Sequence, residues 1–303
     1  MIKNINDTPD ISFDKSHYFC DYIELIALLN NGDIVSISDI YDRFYDDEKI
    51  NRESDDRWEN RLNEWFSILE NRDNVFNKFY PFIVNKSTIK LKFNLTIEHK
   101  VYIFLLLNST QKYISKKKNL LTSDFEELSL FALKKYLPTQ SVLYRFSKYS
   151  GSLSSKIDLL AQDLKYKTQY EQEDLSTNNS GDGGVDLVSW TPFFNDENQN
   201  NMQVVLAQCA TGKEWFKKQY ETDKFTSNFI NFKTRVNNAL FIPYDGRRLD
   251  RRFTEQKEIL NSVWLFDRVR ILNLLKDTLD DLLVLKSFKD IVDEIIKYEE
   301  DIV

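Results

Sequence analysis

Glycine is scarce in this chain, and four of its seven glycines fall in two short segments, Ser180-Gly-Asp-Gly-Gly-Val-Asp186 and Ala210-Thr-Gly-Lys213. A sequence that places glycine here and avoids it elsewhere needs unusual backbone angles or close backbone approach at these points. After the first segment, Val185, Leu187 and Ser189 alternate with Asp186, Val188 and Trp190, the pattern of a strand. Gln203 to Ala210 reads as a second strand whose interior is apolar apart from Gln208, as expected where both faces are covered. Asp186 and Gln208 are therefore polar groups expected inside a sheet. A buried carboxylate is costly unless paired, hydrogen-bonded or bound to metal, and no lysine or arginine occurs between Ser180 and Gln208 to pair with it locally.

The order helix 153–165, exposed strand near 167–173, Gly181-Asp-Gly-Gly-Val-Asp186, strand, Gln208-Cys-Ala210, helix and strand 239–242 resembles the core of the PD-(D/E)XK restriction-endonuclease-like superfamily. The likeness is closest to the Mrr-like branch, whose pattern is a Gly-Asp-x-Gly-x-Asp turn followed by Gln-x-Lys, and it covers about residues 150–265. The resemblance implies a metal-dependent nuclease, a hydrolase of phosphodiester bonds in DNA, acting in bacterial restriction or antiphage defence. It assigns Asp186 as carboxylate ligand of Mg2+ or Mn2+, with the side-chain oxygen of Gln208 and the carbonyl of Cys209 beside it. Hard ions of this kind take oxygen donors and keep waters. The position of the family lysine holds Ala210. Lys213, three residues on, is expected to reach back as a migrated catalytic lysine, with Gly212 allowing the backbone to bend; otherwise it is an exposed first-turn residue. Ala210 keeps a second expectation open, a catalytically degenerate subunit that bridges a DNA-acting complex.

Other residues near these segments carry weaker chemistry. Asp182 suits a hydrogen-bonding turn role better than a ligand role, and Asp158 reads as an ordinary helix charge rather than an additional acid. Trp190 and Trp215 could stack on bases, but core packing is the default for tryptophan. Ala-Thr-Gly-Lys213 is not a phosphate loop: Ala207 stands at the first glycine position and Glu214 follows the lysine. Gly246-Arg-Arg-Leu-Asp-Arg-Arg252 is the densest cationic cluster of the second half. In a helix from about 248 to 261, Arg248, Arg251 and Arg252 would share one face and suit phosphate; solvated or internally paired arginines are the alternative.

The elements that must position these residues follow from periodicity. Helices are expected at 16–30, stopped at Asn30-Asn31-Gly32, then after a Ser36 or Ser38 cap, and at 55–72, where Trp58, Leu62, Trp65, Phe66 and Leu69 form one apolar stripe. A hairpin is expected from Tyr80–Val84 and the alternating Ile89, Leu91, Phe93 and Leu95. Three helices and a hairpin resemble a winged-helix arrangement. Asp55, Asp56, Glu59, Glu64 and Glu70 against Arg57, Arg61 and Arg72 on the third helix favour protein docking over reading a DNA groove. A largely apolar helix at 98–114 follows, and Ser123-Asp-Phe-Glu126 is a capping-box pattern expected to open a helix running to Tyr136. Strands at 239–243 and 263–266 extend an α/β sheet, and the tail from Leu274 reads as amphipathic helix.

The 303 residues are enough for about two domains, here a helical, winged-helix-like interaction module at 1–145 and a nuclease-like α/β domain with C-terminal helices at 146–303. The fold class expected is thus mixed, α+β with an α/β second half. Two cysteines and two histidines, far apart, exclude the usual zinc sites. A formal charge of −7 argues against broad attraction to nucleic acid or an anionic membrane, so any DNA contact is local or completed by a protein partner at the acidic N-terminal module. The longest apolar run, Val101–Leu107, is far below the roughly 20 residues of a membrane span. These features lead to the expectation of a soluble, cytoplasmic protein without a membrane partner.

Overall fold

The computed structural model describes residues 2–10, 15–30, 32–47, 55–171, 175, 183–194, 199–254, 259 and 262–298. Gly181 and Asp182 lie outside the described residues. In chain order the elements are α1 (Ser16–Leu29), β1 (Val35–Ser36), α2 (Ile37–Asp46), α3 (Asp55–Phe76), β2 (Phe82–Asn85), β3 (Thr88–Leu91), α4 (Ile97–Ser109), α5 (Lys118–Tyr136), β4 (Val142–Arg145) and α6 (Leu153–Leu164). They continue with β5 (Lys167–Thr168), β6 (Leu187–Thr191), β7 (Gln203–Cys209), α7 (Glu221–Asn228), β8 (Ile230–Asn231), β9 (Asn237–Phe241), β10 (Val263–Phe266), α8 (Arg268–Leu275) and α9 (Asp293–Ile296). The fold is mixed α+β, and among the described residues no helix is long and apolar enough to cross a membrane.

Contacts divide the chain into two compact units: Met1–Asp124 with Pro243–Gln256 and Arg268–Val303, and Phe125–Ile242 with Lys257–Asp267. The division differs from the boundary expected at 145/146. β4 pairs with β6, and Arg145 forms ion pairs with Glu126 and Glu127, so this segment belongs with the sheet. Residues after Arg268 belong instead with the N-terminal helices.

The reason for that grouping lies in α1. Every residue of α1 after Ser16 is buried, including Asp21 and Glu24, so its carboxylates need partners inside the protein. Arg268 of α8 supplies a bidentate pair to Asp21, with Nη2 2.8 Å from Oδ2 and Nη1 3.2 Å from Oδ1. Its Nε donates to the Pro243 carbonyl at 2.7 Å. Arg72 of α3 donates from Nη1 to Asp21 at 2.8 Å and lies 2.9 Å from Glu24 Oε1. The hydroxyls of Tyr80 and Tyr102 each donate to Glu24 Oε1 at 2.9 Å, and Asp245 places a carboxylate oxygen 4.0 Å from Arg72 Nε. Both guanidiniums are fully buried. Arg72, counted from the sequence among the charges of the third helix, is therefore a core residue and contributes nothing to that helix's outer face.

The same unit carries the sheet β1-β3-β2, in which Phe82 opposes Leu91 and Val35 opposes Ile89. The hairpin matches the expected pattern, and β1 is an added strand. Ser36 is the cap of α2: its hydroxyl accepts from the Asp39 amide, and Asp39 returns the bond to the Ser36 amide. The capping box expected at Ser123 does not start a helix, because α5 begins five residues earlier at Lys118; Asp124 accepts instead from the Ser287 amide. The tail is not one amphipathic helix. It breaks into α8, a 3-10 segment Leu279–Val284, a π-helical turn Phe288–Val292 and α9.

The second unit is built on a five-stranded sheet of spatial order β10-β9-β7-β6-β4. β6 is antiparallel to both its neighbours, β4 and β7, while β7, β9 and β10 run parallel. β6 and β7 are buried along almost their whole length, which explains their near-continuous apolar sequence. α6 and α7 contribute Ile157, Leu160, Leu164 and Phe225 to the core beneath the sheet, together with Val188, Val204 and Leu206. Of the exposed strand expected at 167–173, residues 172–173 lie outside the described residues, and within 167–171 only β5 is strand, paired with β8 in a separate two-stranded ribbon.

The buried cluster generates a pH-dependent expectation. Burial pushes the Asp21 carboxyl up, but the guanidiniums of Arg268 and Arg72 outweigh it and hold the group below its ordinary value. Its stabilisation is therefore present above the unfolded value of about 3.9 and is lost as pH falls through the folded value. Burial and the Asp21 charge hold Glu24 above its ordinary value despite Arg72, so its contribution is present at low pH and lost as pH rises through the folded value. Asp21→Asn is expected to cost about 3 kcal/mol at neutral pH, more than Glu24→Gln, with the gap from wild type narrowing below roughly pH 4. Urea unfolding followed by tryptophan fluorescence at several pH values reads both, and equal, pH-independent costs would refute the assignment.

Candidate active site

Asp186 is placed by the register of the sheet. Leu187 opposes Ala207 across the β6–β7 pair, so the residue before β6 meets Gln208 on the neighbouring strand. The Asp186 amide donates to the Ala207 carbonyl at 2.9 Å, and its carbonyl accepts from the Phe146 amide at 2.7 Å. With its main chain held from both sides, the carboxylate lies over the end of β7. Its Oδ2 accepts from Gln208 Nε2 at 2.7 Å and from the Cys209 amide at 2.6 Å.

Gln208 is only 6% exposed, and its Oε1 is buried with no hydrogen-bond partner. This is the feature that distinguishes the pair from an ordinary structural contact, because buried side-chain acceptors are normally satisfied. If the amide turns by 180°, Oε1 replaces Nε2 beside the Asp186 carboxylate. Two oxygens at roughly that separation suit adjacent positions on an octahedral ion with metal–oxygen distances of about 2.1 Å. The donor set thus fits a hard divalent ion such as Mg2+ or Mn2+. Among the described residues no group of three or more His, Cys, Asp or Glu side chains could hold a metal, so amide, carbonyl and water oxygens would have to complete the shell.

The glycines before Asp186 behave as their scarcity suggests. Gly183 and Gly184 have φ of +61° and +85°. A Cβ on Gly183 would meet Leu153 of α6 and Phe225 of α7 at 3.2 Å, and one on Gly184 would fall 2.8 Å from Glu221 Cβ. The turn is threaded between two helices. Gly212 differs: its φ is not positive and nothing lies within 4 Å of an added Cβ, so no special bend is built there.

Ala210 is buried, and its amide donates to the Phe241 carbonyl as the chain leaves β7. Lys213 lies half-buried in the turn that joins β7 to the 3-10 segment Trp215–Tyr220. Asp158 accepts from the Tyr170 hydroxyl. Trp190 and Trp215 are both buried, which removes them as stacking surfaces. Burial and the Asp186 charge push the Cys209 thiol well above its ordinary value, which disfavours the thiolate.

The arginine cluster is rearranged relative to expectation. Residues 247–254 form a turn, not a helix, closed by Arg248 N–H to the Arg252 carbonyl and by a bridge between Arg247 and Phe253. Arg251 adopts φ +65° and stands 3.7 Å from the buried Asp245, while Arg252 lies 3.9 Å from Asp250 at the surface. Three arginines on one helix face are therefore replaced by one that is partly internal and two that are exposed, Arg248 and Arg252. The buried Asp245 accounts for this, since it draws Arg247 and Arg251 inward.

Three charged residues near the β6–β7 site were not legible from sequence. Glu221 packs over Gly184, and the Arg145–Glu126 pair acts electrostatically on the Cys209 thiol. The sequence signal that something approaches there is the glycine at 184 itself, and sequence spacing cannot name the neighbour. Gly184→Ala is expected to lose about 1–3 kcal/mol, from its φ and its contact with Glu221, whereas Gly212→Ala should stay close to wild type. Denaturant midpoints of the two variants decide this, and comparable losses would count against it. No family model, curated protein or solved structure matches the chain, so the assignment of this site rests on its own geometry.

Proposed function

We propose that the second unit is a divalent-metal-dependent nuclease domain that hydrolyses phosphodiester bonds in DNA, within a bacterial restriction or antiphage defence system. The observation that carries the reading is Asp186 set beside a buried glutamine whose Oε1 has no partner. The succession α6, glycine turn, β6, β7, α7, β9 follows the order on which the resemblance to PD-(D/E)XK enzymes rests, and that resemblance alone supplies the defence setting. Asp186 and Gln208 hold Mg2+ or Mn2+, which when bound stabilises charge on a scissile phosphate and acidifies a water. The amide of Cys209 fixes the carboxylate, and Lys213 orients the attacking water in place of the lysine missing at position 210. The exposed Arg248 and Arg252 attract the DNA backbone, and the acidic helical module, winged-helix-like in outline, docks a protein partner.

A second reading is favoured by Ala210 and by the two donors already on Asp186 Oδ2: a degenerate domain that keeps the pair as a structural clamp. Titration of the full chain with Mg2+ or Mn2+ by calorimetry, alongside cleavage of plasmid and single-stranded DNA, separates them. The nuclease reading expects metal binding that Asp186→Ala abolishes and Gln208→Ala weakens by about tenfold or more, with cleavage lost in Asp186→Ala and Lys213→Ala. Absence of both metal binding and cleavage selects the clamp. DNA binding should also depend steeply on salt, and the slope should fall by about one for each of Arg248→Ala and Arg252→Ala; an unchanged slope removes these residues from the interface.

A further inference from the structure

The five-stranded sheet ends on β4. This strand pairs with β6 on one side, and no strand among the described residues joins its other edge. The Phe146 amide donates to the Asp186 carbonyl at 2.7 Å. The alternation of an antiparallel ladder then turns the main chains of Tyr144 and Val142 toward β6 and leaves the N–H and C=O of Leu143 facing outward. A free edge of this kind is a template for a further strand.

A groove of about 620 Å3 lies beside that edge, between β4 and the last turns of α5. Leu143 stands on the α5 face of the sheet with Arg145, two residues on, whose guanidinium pairs with Glu126 and Glu127 of α5. On α5, Leu130 and Phe131 lie one turn before Lys134 and Lys135, so the four share a stripe, and all line the groove. The leucines and Phe131 are half-buried, whereas both lysines are exposed. Two residues of a strand advance about 6.7 Å, close to the roughly 5.4 Å of one helical turn. A strand added to β4 would thus set one side chain against Leu130 and Phe131 and, two positions along, another against Lys134 and Lys135.

Charge decides what that strand carries. No Asp or Glu lines the groove, in a chain whose formal charge is −7. Glu127, one turn earlier on the same stripe, lies 3.7 Å from Arg145, and neither lysine has an ion-pair partner among the described residues. Pairing with β4 of a second copy would set the lysines of both copies against one another, which like charges oppose. A nucleic acid would use the lysines and leave the Leu143 main chain and the apolar wall idle. An acidic peptide uses all three.

We propose that the β4 edge binds an extended segment of a partner protein that carries an apolar and an acidic residue two positions apart. Its main chain bonds that of Leu143, its apolar side chain packs on Leu130 and Phe131, and its carboxylate meets Lys134 and Lys135. The surface belongs to the sheet unit, not to the acidic helical module proposed above to dock a partner, and it needs no metal at Asp186.

Selection of a random peptide library on the full chain, followed by fluorescence anisotropy of the selected peptides, tests it. The selected peptides should share the apolar-x-acidic spacing. The surface substitutions Lys134→Glu and Lys135→Glu, made together, should weaken them by about tenfold or more without moving the denaturant midpoint. N-methylation along the peptide should weaken binding at alternate positions, because every second amide of an added strand faces β4. Asp186→Ala should bind the peptides as wild type does, so failure at the metal site and failure here are separable. The proposal is overturned if no peptide is selected, if the lysine reversals leave affinity unchanged, or if N-methylation shows no alternation. It is equally overturned if the reversals abolish binding of single-stranded DNA while no peptide binds, which assigns the lysines to nucleic acid.

Discussion

Two arginines with no access to water organise the helical unit. Arg72 and Arg268 converge on the Asp21 carboxylate, and Glu24, Tyr80 and Tyr102 close the network around them. Ions removed from water interact strongly but lose their hydration, so such a cluster is tolerated only when every charge finds a counter-charge with good geometry. That demand explains why residues 243–256 and those from Arg268 onward belong with the first helices. Arg268 is anchored to the Pro243 carbonyl and to a carboxylate 247 positions earlier in the chain. A core of leucine and phenylalanine could have formed with many partners; this one accepts a single arrangement.

The sheet unit applies the same physics on a smaller scale. Asp186 enters a buried strand pair, where its carboxylate accepts from an amide nitrogen and a main-chain N–H. Beside it, Gln208 has one end of its amide bonded and the other without a hydrogen-bond partner.

Much of the sheet was readable in the residues because strands buried on both faces leave little choice of composition. β7 and β10 lie where the apolar runs place them, and Asp186 and Gln208 stand out in those runs as polar groups that must have a reason. The apolar stripe of α3 was legible for the same reason. Charges were not. Arg72 is indistinguishable in sequence from the exposed Arg57 and from Arg61, which lies over the Trp58 ring, because its burial depends on Asp21 and Glu24 from another helix. Spacing suggested a helix for Arg248, Arg251 and Arg252, but Asp245 draws Arg251 inward and a turn results. β4 was missed because four residues after a proline-containing turn carry too little periodicity, and only pairing with β6 makes them a strand.

The grouping of Arg268 with α1 has a consequence for the order of synthesis. Asp21 and Glu24 are made before any strand of the sheet unit, yet their second guanidinium arrives 247 residues after Asp21, once the whole five-stranded sheet has been made. Domains usually complete themselves in the order in which they are translated. Here that order is reversed: the sheet unit has all its strands before α1, made ahead of them, has its last counter-charge.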